Sequence, residues 1–263
     1  MKAWRSALLL PVLAAGLAQA GRPCEEQPLS VQQVERGMNL AQATAAQLDA
    51  SGAQVVLLAR AGQDLGKYGL QWSHVGFAYR DPEARAWRVL HKLNHCDTAN
   101  AALYRQGLGE FFMDRPVRYE AAYSVLQPEL QAALLPLLRD NGRAVRLDEP
   151  RYSMLSYAWG TRYQQSNQWA LETLALAASP GVAGRREAQA WLRSRDYQPT
   201  DLRLSTFTRL GARISMANVA FDDHPADKRF SGHIETITAD SMFNWLARSG
   251  LGRPNQMIKL GTP

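Results

Sequence analysis

Residues 69–94 read GLQWSHVGFAYRDPEARAWRVLHKLN. Two runs within them, WSHVGFAYR and WRVLHKL, carry the aromatic and β-branched residues that suit strands, and DPEA between them is a natural four-residue hairpin connection. The chain has only five histidines, and this hairpin holds two. If Arg80 pairs with Arg85 and no bulge intervenes, His74 lies opposite His91. Directly opposed residues point to one face with Cβ atoms roughly 4.5–5.5 Å apart, whereas a one-residue slip would put the rings on opposite faces. Two adjacent imidazoles repel when charged, so each favours the neutral state that a general base needs near pH 7. The plainer reading is that each histidine is a surface or satisfied core group. A metal is not expected: two ligands are too few for a structural zinc site, and no HExxH-type companion occurs.

The flanks extend the pattern. AQVVLLARA (53–61) is an apolar run of strand length, expected to be buried on both faces. Apolar and small residues recur at helical spacing from Val31 to Leu48, with Ser30 as a cap. Downstream, NAALYRQGLGEFFM (100–113) reads as helical or irregular, with Gly107 and Gly109 as breaks. PELQAALLPLLRDNG (128–142) is punctuated as a helix by Pro at its start and Asn-Gly at its end. SNQWALETLALAA (166–178) and REAQAWLRSR (186–195) are further helices. The C-terminal third, with STFTRLGARI, NVAF and GHIETITAD, mixes β-branched segments with turns and closes on the amphipathic DSMFNWLARSG. Strands that cluster, rather than alternate with helices, indicate an α+β class.

The first twenty residues, MKAWRSALLLPVLAAGLAQA, have the basic start, apolar run and Ala-Gln-Ala end of a cleavable export signal, with cleavage after Ala20. The apolar run is too short to span a bilayer, so no stable membrane insertion is expected. What remains, residues 21–263, carries 28 basic against 24 acidic residues. That mild excess lacks any Lys/Arg block and argues against nucleic-acid binding. A soluble periplasmic or secreted protein follows. In such an oxidising compartment Cys24 and Cys96 most simply form a disulfide, and closing a loop of about 70 residues would contribute roughly 4 kcal/mol. The alternative is Cys96 as a thiol nucleophile.

AQVVLLARA, SHVGFAYR and WRVLHKL, in that order, resemble the opening of the circularly permuted papain-like proteins related to NlpC-type peptidases and lecithin retinol acyltransferase. The resemblance implies a catalytic histidine at His74, a second polar member at His91, and a nucleophile later, at a helix start. Where that pattern would read N-C-E-H-F-V, this chain reads Ser166, Asn167, Gln168, Trp169, so serine stands where cysteine is expected. The implied fold is a permuted papain-like (NlpC-type) α+β domain over 21–263 with an antiparallel sheet, a helical insert at about 98–150 and C-terminal additions at about 200–263. SHVGFAYRD, QGLGEFF, SNQWALE and NVAFDDHP together are also similar to the bacterial family known as domain of unknown function 2145, which implies an exported protein.

The chemistry expected is Ser166 activated by His74, with His91 orienting that ring, in a hydrolase or acyltransferase acting on an amide or ester without a cofactor. A helix N-terminus would favour developing negative charge, with Asn167 or Gln168 as side-chain donors and Trp72 as a wall of the substrate site. A peptidoglycan peptide or a lipid-linked group is the expected substrate class. The competing reading makes Ser166 only an N-cap, a role worth about 1 kcal/mol, in an inactive papain-like binding or assembly module. Asp222, Asp223 and His224 read as a turn, or alternatively as a carboxylate source for Ser166–His74 or a divalent-cation site.

Overall fold

The computed structural model describes residues 28–260. The expected export signal (1–20) and Cys24 lie outside that range, so the cysteine pairing involves a residue not described. The main element is an antiparallel sheet of six strands in the order β4-β3-β2-β1-β5-β8, with β1 Val55–Ala61, β2 His74–Asp81, β3 Ala86–Asn94, β4 Ala101–Gly107, β5 Arg118–Val125 and β8 Gln256–Lys259. A separate ribbon pairs β6 (Thr200–Arg203) with β7 (His233–Thr236).

Both faces of the sheet are covered, which is why β1 is apolar except at Arg60 and buried at every position. Val55, Leu57 and Ala59 meet a core made with α3 (Pro128–Arg139), α5 (Ser166–Ala178), α6 (Arg185–Ser194) and α9 (Ala239–Ser249). Val56 and Leu58 point the other way, to α1 (Val31–Ser51) and α2 (Leu108–Phe112). Short helices α4 (Asn141–Ala144), α7 (Thr206–Ser215) and α8 (Ala226–Ser231) complete the set. The α+β class and the antiparallel sheet are as expected.

The hairpin forms, but in a register two residues away from the expected one: Phe77 pairs with Leu90, Tyr79 with Arg88 and Asp81 with Ala86. The cause is local. Asp81 remains in the strand and its carboxylate accepts from the N–H groups of Glu83 and Ala84 (3.0 and 3.3 Å), so the loop is residues 82–85, closed by Arg85 at φ 50°. His91 therefore faces the Gly76 position rather than His74. Because the shift is even, both histidines still share a face. Gly76 is what makes the diagonal approach possible. A Cβ there would lie 2.9 Å from the His91 Cβ and 2.7 Å from Val89 Cγ1.

Two expectations fail. Residues 101–107 are a strand, β4, because pairing with β3 overrides their weak local preference, and Gly107 caps α2 instead of breaking a helix. Hence 98–150 is not a helical insert: it contributes β4 and β5 to the main sheet. Residues 206–215 form α7, started by Ser205, whose hydroxyl accepts from Thr208 N (3.1 Å). The C-terminal additions are also partly integral, since β8 pairs with β5 and α9 packs in the larger core.

Candidate functional site

His74 is the first residue of β2, His91 lies in β3 and Gln106 in β4; Ser166 opens α5. Their side chains form one continuous line. Ser166 Oγ is 3.2 Å from His74 Nδ1, His74 Nε2 is 2.8 Å from His91 Nδ1, and His91 Nε2 is 2.8 Å from Gln106 Oε1. The imidazoles meet edge to face, with centroids 5.1 Å apart and planes at 73°. The line has a direction. The Gln106 carbonyl can only accept, so His91 Nε2 carries a proton and its Nδ1 is bare; that Nδ1 accepts from His74 Nε2–H, which leaves His74 Nδ1 bare and facing the serine hydroxyl.

Electrostatics hold this arrangement. His91 is fully buried, and burial first, with the nearby Arg60 guanidinium second, lowers its pKa from 6.5 to about 3 against the opposing Gln106 hydrogen bond. Arg60 is the β1 partner of His74, donates to the Phe111 carbonyl and to Asp114, and lies over the Phe111 ring. Both imidazoles touch that same ring, at 6.0 and 5.2 Å. Neither histidine has a lone pair left for a metal once these hydrogen bonds are made. Tyr152, buried in the loop before α5, has Ser166 as its polar neighbour; burial pushes its phenol up to about 12, so it stays protonated.

The start of α5 assigns the capping role to a different residue from the one expected. Gln165 is the N-cap, and its Oε1 accepts from Asn167 N (3.0 Å). Ser166 is the first helical residue, so the reading of it as the cap is corrected. Asn167 and Gln168 are structural rather than oxyanion donors by side chain. Asn167 Oδ1 accepts from Val75 N (3.1 Å), fastening α5 to β2, while its amide donates to the Ile237 carbonyl (3.4 Å). Gln168 accepts from Ser156 Oγ (2.7 Å) and donates to carbonyls of the 157–160 loop. Trp72, 2% exposed, is part of the core and walls no cleft. Beneath α5, buried Lys92, Gln164 and Glu172 and half-buried Arg185 form a hydrogen-bonded ionic network that fixes the helix in place.

Asp222, Asp223 and His224 do not join Ser166 and His74. Asp222 pairs with Arg162 (2.9 Å), and Asp223 accepts from Tyr157 N (2.7 Å) and meets His224 Nδ1 (3.0 Å), tying one loop to another. Both ring nitrogens of His74 are already engaged, so a carboxylate has no place beside it. Sequence reasoning missed Gln106, Tyr152, Arg60 and Phe111. For Arg60 a signal existed, the one charge in an apolar strand; Gln106 was hidden by the misread edge strand.

The family described as "Uncharacterized protein conserved in bacteria (DUF2145)" matches residues 47–246, which includes every residue of this hydrogen-bonded line. No curated protein and no solved structure matches the chain.

Proposed function

This chain belongs to the DUF2145 family, and we propose that it is an exported serine-dependent hydrolase or acyltransferase of permuted papain-like type, acting on an amide or ester in the cell envelope. The observation that carries the reading is the directed line from Ser166 through His74 and His91 to Gln106, which leaves a bare nitrogen against a hydroxyl.

In the reaction, Ser166 Oγ attacks the carbonyl carbon as its proton moves to His74 Nδ1. The resulting imidazolium is stabilised by the neutral acceptor His91 Nδ1, itself held by Gln106. The tetrahedral oxyanion draws on the N-terminal end of α5 and the Tyr152 phenol. Collapse passes the proton from Nδ1 to the departing amine or alcohol and leaves an acyl-serine. Water or an acceptor hydroxyl or amine then attacks the ester, His74 takes its proton, and Ser166 recovers it when the acyl group leaves.

A non-catalytic binding module is the second reading, favoured by the engagement of Asn167 N–H, the Asn167 side chain and the Gln168 side chain in internal hydrogen bonds. In that case Ser166→Ala leaves ligand affinity unchanged. Incubation with a fluorophosphonate, with the adduct located by mass spectrometry, separates the two. The enzyme reading predicts an adduct on Ser166 that disappears in His74→Ala; an unmodified Ser166 in a protein whose other serines react favours the module.

A further inference from the structure

The β6–β7 appendage carries the most exposed aromatic groups of the described chain. Phe207 and Leu210, one turn apart on α7, are 87% and 55% exposed, and Phe230 on α8 is 71% exposed. The two helices are tied end to end. Leu204 N, ahead of α7, donates to the Gly232 carbonyl just after α8 (3.0 Å), and Arg209 donates to the Leu204 carbonyl (2.9 Å). The inner side of α7 is already satisfied. Arg209 is buried and Ala212 packs against the small core of Leu202, Leu204, Met216, Val219, Phe221 and Ile234. So α7 turns Phe207 and Leu210 away from the protein.

Charge accompanies this face. From Arg203 to Phe221 the chain has three arginines and no acidic residue. Arg203 and Arg213 are exposed, and the Arg229 guanidinium lies 4.7 Å over the Phe230 ring. The acidic neighbours are Asp201, held by His233 and Arg203, Glu235, held by Lys228, and Asp227 at the start of α8. Protein partners concentrate affinity in anchors that fill well-packed pockets. A phenylalanine 87% exposed on a short surface helix stands proud instead, a shape suited to a fluid phase that closes around it.

We propose that α7, with Phe230 of α8, docks the protein on an anionic lipid surface, with Phe207, Leu210 and Phe230 entering the headgroup–acyl boundary and Arg203, Arg213 and Arg229 meeting lipid phosphates. The attachment is peripheral: among the described residues no helix is long and apolar enough to cross a membrane. It stands apart from the Ser166 reading and survives if that reading fails.

Sedimentation of the full chain with phosphatidylcholine vesicles, with and without one quarter phosphatidylglycerol, tests this. At low salt, partitioning into the anionic vesicles is at least tenfold stronger than into the neutral ones and weakens at high salt. The double variant Phe207→Ser with Leu210→Ser, whose fold is checked by circular dichroism, loses tenfold or more for the anionic vesicles. Arg203→Glu with Arg213→Glu removes the lipid preference. Equal binding to both vesicle types, no binding, or a double variant that binds like the unaltered chain overturns the proposal. So does self-association in solution that the double variant abolishes without any vesicle binding, since the face would then belong to a second copy.

Discussion

A buried imidazole with a pKa near 3 is a statement about stability as well as chemistry. The unfolded chain protonates His91 near pH 6.5, whereas the folded chain resists until about 3. Between those values the unfolded state holds the extra proton, so this residue makes stability fall as pH falls, with a slope of up to about 1.4 kcal/mol per pH unit. Denaturant titrations of the unaltered chain and of His91→Leu across pH 4–6.5 should show a shallower slope in the variant. Gln106 acts on the same ring from the far end. Replacing it with leucine frees His91 to exchange tautomers, and the fluorophosphonate labelling rate of Ser166 should fall by on the order of tenfold, against the 10²–10⁴ that general-base catalysis usually supplies and His74→Ala removes. None of this could be read from His74 and His91 alone, because the direction of the line is set by Gln106, thirty-two residues from His74 in sequence and two strands away.

Elements decide whether those residues meet. The hairpin was legible as two strands, and its register was not, since Asp81 stayed in the ladder and moved the turn by one residue on each side. The histidines met anyway because an even shift preserves the face. Gly76 is the position that tolerates their diagonal contact, so Gly76→Ala should destabilise the fold by about 1–3 kcal/mol through overpacking against Val89 and His91, measured by chemical denaturation. At the head of α5 the division of labour between neighbours is equally testable. Gln165→Ala removes the cap and should cost about 1 kcal/mol. Ser166→Ala, at a position that caps nothing, should change stability by less than about 0.5 kcal/mol while abolishing labelling. A large loss of stability in Ser166→Ala with none in Gln165→Ala would return the capping role to the serine.

At the scale of the whole molecule, the apolar run of β1 announced a sheet covered on both sides, and that is the architecture observed. The region from 98 to 150 was opaque because an edge strand such as β4, half exposed and interrupted by Tyr104 and Arg105, lacks the alternation that marks a strand by itself. Residues 206–215 were opaque for a related reason: in a region of β-branched segments and turns their threonines and isoleucine carry no helical signature, but the Ser205 cap and the packing of Ala212 against the small core make a helix. What the sheet and α5 achieve jointly is the placement of a hydroxyl from one layer against a ring from another. The most direct probe of that placement is the thiol made by Ser166→Cys. Its alkylation by iodoacetamide, followed by peptide mapping from pH 5 to 10, should titrate well below the ordinary value of about 8.5 and move back toward it when His74→Ala is added. A thiol at 166 that titrates near 8.5 whether or not His74 is present would contradict the account.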